Sequence, residues 1–219
     1  MLVDLWPFFG LVVHTPRLEL RLPREEELAT LAEVARRGAF QPGEQPFLTP
    51  WGDGTPDGRA RAVLTGQWSA LAGWKASRWE LPLAAFVDSS PIGMVALMGR
   101  DFPVVRQVST WSWLGLSHHG LGYGTEARAG LLALAFDHLG AASARTDVFQ
   151  DNHASQAVSR KLGYEPDGIS IDARGDEALI SDRLRLTRSR WAALPQIPVA
   201  VSGLEPCLSW FGDHFSQEG

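Results

Sequence analysis

Three glycines spaced two residues apart form the segment of this 219-residue chain with the clearest chemical potential. They lie in His119-Gly120-Leu121-Gly122-Tyr123-Gly124, after an apolar segment that ends at Leu116 and before a helical pattern that begins near Gly124. Glycines remove side chains where backbone must approach a ligand closely. The first turn of a helix leaves N–H groups unpaired and carries partial positive charge. We therefore predict an anion site here, suited to phosphate or pyrophosphate.

Two familiar nucleotide-binding motifs do not fit this turn. A P-loop requires a lysine after its last glycine, whereas Thr125 and Glu126 follow Gly124. A dinucleotide-binding fingerprint requires G-x-G-x-x-G early in a βαβ unit, but here the spacing is G-x-G-x-G after three or four predicted strands. From the glycines alone, a tight connection between a strand and a helix remains an alternative.

A second group of polar residues follows about 30 positions later. Asn152 opens a predicted helix, and Ser155 lies about one helical turn further along on the same face. Gly163 ends that helix before another strand begins. Asn152 is a favourable helix cap in any case, and capping is compatible with a binding role.

The elements that must position these residues alternate between strands and helices. Period-two patterns and β-branched runs predict strands, and helical stripes with capping signals predict helices. The predicted strands cover residues 17–22, 80–87, 92–98, 106–116, 144–149, a stretch from 164 and 178–187, and the predicted helices cover 24–35, 57–77, 124–139 and 152–162. Residues 40–58 are rich in Pro and Gly and are predicted to be a long loop, a type that is often functional. This alternation indicates an α/β fold with a mixed sheet.

Composition narrows the class of protein further. The formal charge of −5 argues against a nucleic-acid partner, which requires a surplus of Lys and Arg on some face. Cys207 is the single cysteine, so no intrachain disulfide forms and nothing marks an oxidising compartment. We expect a cytoplasmic protein with no membrane partner.

The two ends of the chain differ from its centre. Residues 1–13 are apolar but too short to span a bilayer, and they lack the basic start of a signal peptide. We predict an arm over residues 1–13 that packs on the domain or on a partner subunit. A central domain is predicted over 14–191, and a tail of uncertain structure over 192–219. A monomer and a homodimer are both compatible with these ends.

Tryptophan is unusually frequent, with nine copies in the chain. Many of them lie near Pro and Gly or in a predicted strand rather than on a helical stripe. Filling of the core explains some of them. Trp51, Trp79, Trp111 and Trp113 instead suggest an aromatic substrate pocket, because tryptophan combines a broad apolar surface with one hydrogen-bond donor.

Two linked motifs resemble those of the GNAT superfamily of N-acetyltransferases. The segment from Leu114 to Ala127, which contains Gly-Tyr-Gly-Thr-Glu-Ala, resembles the family's central acetyl-CoA motif and is especially similar to the RimJ/RimL branch. Asn152-His153-Ala154-Ser155 followed by Lys161-Leu162-Gly163-Tyr164 resembles that branch's second motif. The order of elements from Arg17 to about Trp191 agrees as well. The resemblance implies a GNAT-like α/β fold with a mixed, mostly antiparallel central sheet flanked by helices.

The resemblance also implies roles for individual residues. Backbone groups of Leu114 and Leu116 would contact the pantetheine arm of acetyl-CoA or another short acyl-CoA, and Asn152 would hold the same arm. Ser155 would stabilise or protonate the leaving thiolate. The pyrophosphate would bind the turn formed by His119, Gly120, Leu121, Gly122, Gly124 and Thr125. The sequence departs from the family's pattern at His119, where Gln or Arg is usual, and at Ser159, where many members carry a tyrosine acid.

The sequence leaves the base and the acceptor open. Asp172 is slightly favoured as the catalytic base over Asp176, Glu177 and Glu80. The acceptor would be a small-molecule amine or a protein N-terminus, and the tryptophans favour a small molecule. The adjacent His118 and His119 lack a Cys, His or Asp cluster, so no metal is expected. An alternative function is a non-catalytic acyl-CoA-binding sensor or partner module of the same fold.

Overall fold

The computed structural model describes residues 1–40, 51–174 and 176–212. In these ranges the strands form one nine-stranded sheet. The strands are β1 Val12–His14, β2 Glu19–Arg21, β3 Arg78–Val87, β4 Ser90–Arg100, β5 Gln107–Leu114, β6 Ser143–Phe149, β7 Glu165–Arg174, β8 Glu177–Thr187 and β9 Ala200–Ser202.

Helices cover both faces of the sheet. The α-helices are α1 Leu2–Leu5, α2 Glu25–Arg37, α3 Pro56–Ala72, α4 Phe102–Val105, α5 Tyr123–Ala133, α6 His153–Lys161 and α7 Arg188–Ala193. A π-helical turn at Leu134–His138 prolongs α5, and short 3-10 helices lie at Pro7–Gly10, Trp51–Gly54, Leu116–His118 and Glu205–Phe211. The predicted α/β fold is confirmed.

The sheet is antiparallel except at one junction. Its order is β7-β8-β6-β5-β4-β3-β2-β1-β9, and only β5 and β6 run parallel. These two strands pair over three positions, from Gln107 opposite Ser143 to Ser109 opposite Arg145. Beyond Ser109 they separate, so the edge of β5 from Thr110 onward faces no partner strand on that side in the part of the chain that the structure describes.

The core lies in two layers, one on each side of the sheet. On one face α5 packs with residues such as Leu81, Leu97 and Val108 into the larger apolar cluster. On the other face α2 and α3 pack against Phe86, Met94 and other residues of the central strands. The central strands are apolar on both faces, as expected of strands covered by helices on both sides.

Both ends of the described chain join the same sheet. β1 lies between β2 and β9, so the predicted arm continues directly into the fold. Phe8 is fully buried, and Trp6, Trp74, Trp210 and Phe211 surround it. The predicted boundaries at residues 13 and 192 therefore do not divide the sheet. A three-residue strand such as β9 is too short to show a period, so no pattern in the sequence predicts it.

The end of the predicted loop over residues 40–58 overlaps the start of α3 in the structure. Residues 41–50 lie outside the described part of the chain. Trp51–Gly54 form a 3-10 turn, and α3 begins at Pro56. The Thr55 hydroxyl caps this helix by accepting a hydrogen bond from the Gly58 N–H at 2.9 Å. The helix then ends at Ala72, five residues before the predicted end, because β3 starts at Arg78.

Candidate active site

The glycine turn exposes a row of unpaired backbone donors. Gly120 and Gly122 have φ angles of 76° and 84°, in the left-handed region that glycine adopts without strain. Gly122 is the N-cap residue of α5. The N–H groups of residues 120–125 donate to no backbone or side-chain acceptor among the described residues. Together with the helix dipole they form a site that favours an anion.

The buried carboxylate of Glu126 links this turn to the N-terminal segment of the chain. Glu126 is only 8% exposed and accepts hydrogen bonds from the Arg17 Nε at 2.6 Å, the Arg17 N–H at 2.8 Å and the Thr15 hydroxyl at 2.8 Å. The Arg17 Nη1 also donates to the Leu121 carbonyl at 3.0 Å, and its guanidinium lies over the Tyr123 ring. This network was not predicted from the sequence, because no local pattern marks a contact between residues 109 positions apart.

The backbone predicted to hold the pantetheine arm is already partly bonded. The His119 Nε2 lies 2.9 Å from the Leu114 carbonyl oxygen. The Leu116 N–H donates to the Gly38 carbonyl at 3.1 Å, and the Leu116 carbonyl accepts from the His119 N–H. Leu116 therefore has no free N–H for a ligand. The His119 side chain orders the end of β5 instead of pointing as a free group towards an anion.

Asn152 and Ser155 occupy the first turn of α6. The Asn152 Oδ1 accepts a hydrogen bond from the Ser155 N–H at 3.0 Å, so Asn152 caps this helix. The Ser155 hydroxyl is half-buried and has no hydrogen-bond partner in the described part of the chain. The cap fixes the start of α6, while the Asn152 amide nitrogen and the Ser155 hydroxyl stay available to a ligand.

A cleft of about 980 Å³ opens between α3 and the neighbouring face of β3, β4 and β5. We call it the aromatic cleft. Side chains of the three strands form its floor: Glu80 and Pro82 on β3, Met94 and Met98 on β4, and Ser109, Trp111 and Trp113 on β5. Its walls include Trp51 and the α3 residues Val63, Gly66, Gln67 and Ala70.

Three of the four predicted pocket tryptophans line this cleft with their rings. The rings of Trp51 and Trp113 lie 4.9 Å apart, and Trp111 stands on the same face of β5 as Trp113. Trp79 borders the cleft, but its side chain is 2% exposed and stacks on Trp74 on the opposite face of the sheet. Trp79 and Glu80 are neighbours on β3, so their side chains must point to opposite faces.

Two polar side chains reach into the aromatic cleft. The Trp111 Nε1 donates to the Glu80 Oε1 at 2.8 Å, and the second carboxylate oxygen has no partner in the described residues. Gln67 is 3% exposed, and neither its amide nitrogen nor its amide oxygen has a hydrogen-bond partner in the part of the chain that the structure describes. A buried amide without partners is costly, which suggests that a ligand supplies them.

Positive charge collects at the outer end of the aromatic cleft. Lys75, Arg78 and Arg100 line this end, and none of them forms an ion pair with a described carboxylate. Arg78 lies directly opposite Arg100 in the β3–β4 pair. Like charges directly opposite each other destabilise a strand pair, so an anionic group bound between them would be favoured.

The structure does not bring Asp172 to the aromatic cleft. Asp172 lies on β7, the outer strand of the sheet, opposite Leu179 on β8. Glu177 begins β8 next to it. Within the described ranges, Glu80 is the one carboxylate that lines the cleft. Glu80 was one of the predicted candidates for the base, but no sequence pattern ranks it first, because β3 is distant from the glycine turn along the chain.

Two other classes of site are not seen in residues 1–40, 51–174 and 176–212. No group of three or more His, Cys, Asp or Glu side chains is arranged to hold a metal ion there. In the same ranges, no helix has the length and apolar character needed to cross a bilayer.

The comparisons with known proteins agree with this architecture. The family model described as an acetyltransferase (GNAT) domain matches residues 17–165. A GCN5-related N-acetyltransferase from Brucella melitensis superposes with a TM-score of 0.66 at 17% identity, covering 83% of this chain and 80% of that one. RimJ from Mycobacterium smegmatis, in complex with CoA-disulfide, gives 0.62 at 18% identity, with 87% and 92% covered. RimL, an alpha-N-protein acetyltransferase of ribosomal L7/L12 in complex with coenzyme A, gives 0.58 at 15%, with 80% and 97% covered.

Proposed function

Because this chain belongs to the GNAT acetyltransferase family, we propose that it moves an acetyl group from acetyl-CoA directly to a primary amine held in the aromatic cleft. The acceptor is a small molecule in this proposal. The main support for this proposal is the position of β5. Its edge beyond the pairing with β6 runs from the glycine turn to the floor of the aromatic cleft, where Glu80 lies.

The residues present fit a CoA thioester. The free N–H groups of residues 120–125 suit its pyrophosphate. The edge of β5 beyond Ser109 offers backbone that no described strand covers, and the start of α6 adds the Asn152 amide and the Ser155 hydroxyl. The bound thioester supplies an activated acyl carbon with a thiolate leaving group. This chain's residues then have to hold that carbon beside an uncharged amine.

Glu80 is the base in this mechanism. One oxygen of its carboxylate is fixed by the Trp111 N–H, which leaves the other free to take a proton from the acceptor ammonium, directly or through one water. The neutral nitrogen attacks the thioester carbonyl carbon, so a C–N bond forms and the C–S bond breaks. The nitrogen gives up its second proton as the C–S bond breaks, and the Ser155 hydroxyl relays a proton to the departing sulfur, so CoA leaves as the thiol.

The polar groups of the cleft suggest what kind of amine binds. The aromatic rings accommodate an apolar or aromatic body. The Gln67 amide would pair with a group that has both a donor and an acceptor, such as a carboxamide. Arg78 and Arg100 would pair with an acidic group at the far end of the molecule. These features favour a compact acceptor over a flexible protein N-terminus.

The test is a turnover assay on a library of amines and N-terminal peptides with acetyl-CoA, followed by Glu80→Gln. We expect Glu80→Gln to lower kcat by about 10²- to 10⁴-fold, the usual contribution of a general base, while the affinity for CoA is unchanged. Asp172→Asn is measured beside it. If Asp172→Asn removes activity and Glu80→Gln does not, Asp172 is the base. CoA binding without turnover of any amine would instead favour the non-catalytic sensor.

A further inference from the structure

A group of buried polar side chains lies on the face of the sheet opposite the aromatic cleft. Its members are Thr110 on β5, Arg128 on α5, Ser159 on α6 and Tyr164 directly before β7. Arg128 is 4% exposed and Ser159 is fully buried. Five side-chain atoms have no hydrogen-bond partner among the described residues: Thr110 Oγ1, Arg128 Nε, Arg128 Nη2, Ser159 Oγ and Tyr164 Oη. We call this group the Arg128 cluster.

The Arg128 cluster lacks a counter-charge. In the described part of the chain no carboxylate forms an ion pair with Arg128. Burial raises the pKa of Tyr164, so its hydroxyl stays neutral and acts as a donor. Arg128 and Thr110 lie close enough to the Tyr164 hydroxyl to offset part of this rise in its pKa. Neither side chain forms a hydrogen bond of standard geometry with that hydroxyl. A guanidinium cannot lose its proton, and burying it unpaired is strongly unfavourable.

The position of the Arg128 cluster connects it with the proposed donor site. Thr110 is the first residue of β5 beyond the last pair with β6. Its neighbours Ser109 and Trp111 face the aromatic cleft, so Thr110 faces the other side. At about 3.3 Å per residue, Thr110 lies about 13 Å along β5 from Leu114. A thioester that extends from the glycine turn along this edge would place its acyl group between the cleft and the cluster.

We propose that the Arg128 cluster is a second part of the donor site and binds a carboxylate at the end of the acyl chain. The enzyme would then transfer an acyl group derived from a dicarboxylic acid, such as succinyl, in addition to acetyl. This inference rests on the proposed acyl transfer. Arg128 would pair with the terminal carboxylate, and the hydroxyls of Thr110, Ser159 and Tyr164 would donate to its oxygens.

The chemistry of the transfer is the same for both donors. The acceptor nitrogen attacks the thioester carbonyl, the C–N bond forms and the C–S bond breaks. The ammonium proton passes to Glu80, the second proton of the nitrogen passes to the departing sulfur by way of the Ser155 hydroxyl, and CoA leaves as the thiol. The terminal carboxylate takes no part in the reaction, and no oxidant or reductant is consumed. An acetyl group, which lacks the carboxylate, binds the same site without using Arg128.

The test compares succinyl-CoA, acetyl-CoA and CoA by calorimetry in the absence of an acceptor. We expect the wild-type protein to bind succinyl-CoA about 10- to 100-fold more tightly than acetyl-CoA, since hydrogen bonds between charged groups are the stronger ones. Arg128→Met, which keeps the length of the side chain and removes its charge, should abolish this difference and keep the affinity for acetyl-CoA. Arg37→Met, an exposed position on α2, makes the same change in net charge and should alter neither affinity.

Two further variants keep the proposal testable if Arg128→Met folds poorly. Tyr164→Phe and Ser159→Ala each remove one hydroxyl and should lower the preference for succinyl-CoA severalfold without changing acetyl-CoA binding. Equal affinity of the wild type for the two thioesters would overturn the proposal and leave the proposed acetyl transfer intact. If chloride then raised the melting temperature of the wild type but not of Arg128→Met, the cluster would hold an inorganic anion instead. No binding of any CoA compound would remove the proposed function, and this inference with it.

Discussion

The glycine turn and the aromatic cleft are built in opposite ways. The turn is one continuous stretch whose N–H groups form the site, so its chemistry depends on backbone conformation. The cleft takes its side chains from three strands, from α3 and from the Trp51 turn, and its chemistry depends on which side chains share a face. A site made of backbone tolerates changes around it that preserve its φ and ψ angles. A site made of side chains is sensitive at each position.

Among these variants, Gly122→Val is expected to have the largest effect on ligand affinity, because it disrupts the backbone of the turn and leaves the aromatic cleft unchanged. A β-branched residue is strongly disfavoured at a φ of 84°, and the new side chain would stand beside the free N–H groups. We expect a loss of CoA affinity of about 100-fold or more, or about 2.7 kcal/mol, by calorimetry. Tryptophan fluorescence of the cleft should stay as in the wild type. A large shift in that emission would mean that the two sites are not independent.

Gly66→Ala is the matched control on the cleft side. Gly66 lies inside α3, and a Cβ there meets no atom within 4 Å. Alanine should stabilise the helix by about 0.5–1 kcal/mol and leave CoA affinity unchanged. A loss of CoA affinity in this variant would show that α3 supports the turn.

Trp111→Phe tests whether the aromatic cleft can be weakened without an effect on the glycine turn. It keeps most of the aromatic surface but removes the donor that fixes Glu80. A hydrogen bond to a charged group contributes about 1.5–3 kcal/mol, and partial exposure reduces this value. We expect kcat/KM for the acceptor to fall about 10-fold, with CoA affinity as in the wild type. An equal loss of CoA affinity would contradict the separation of the two sites.

Glu126→Gln tests how strongly the turn depends on the N-terminal segment. The change removes the charge that pairs with Arg17, which is itself about half exposed. We expect a loss of about 1 kcal/mol in unfolding free energy, seen as a decrease of about 2–4 °C in Tm. CoA affinity should fall severalfold, because the Arg17 bond to the Leu121 carbonyl loses its anchor. Unchanged affinity would show that the glycines alone fix the turn.

The smallest effect is expected at the Arg21–Glu27 ion pair. This pair supports the apolar layer that α2 and α3 form with Phe86 beneath the aromatic cleft. Hydrogen bonding to Arg21 is the largest cause that lowers the pKa of Glu27, and Arg21 lies over the Phe86 ring. A carboxyl group with a lowered folded-state pKa stabilises the protein above its unfolded pKa of about 4.3, and this contribution is lost as the pH falls. Unfolding curves should therefore show wild type more stable than Glu27→Gln at pH 7, by under 1 kcal/mol. The difference should shrink below about pH 4, and a difference that grew on acidification would contradict this assignment.

The sequence predicted much of the fold because the long elements carry strong periodic signals. β3, β4, β5 and β8 lie within a few residues of their predicted positions, as do α2 and α6. β9 was missed because three residues carry no period. The π-turn at Leu134–His138 lies within one continuous predicted helix, since Leu134, Ala135 and Phe136 continue the apolar face of that helix.

The glycine turn and the cap at Asn152 were determined by the sequence itself. Both depend on residue types at short spacing. The turn needs glycines at its positive φ angles, and the cap needs an amide oxygen three positions before the N–H group that donates a hydrogen bond to it. The tertiary structure alone decided the rest of the site. It placed Glu80 rather than Asp172 beside the tryptophans, turned Trp79 away, and paired Glu126 with Arg17. These outcomes depend on strand order and register, which join residues that are distant along the chain and leave no local signal at either partner.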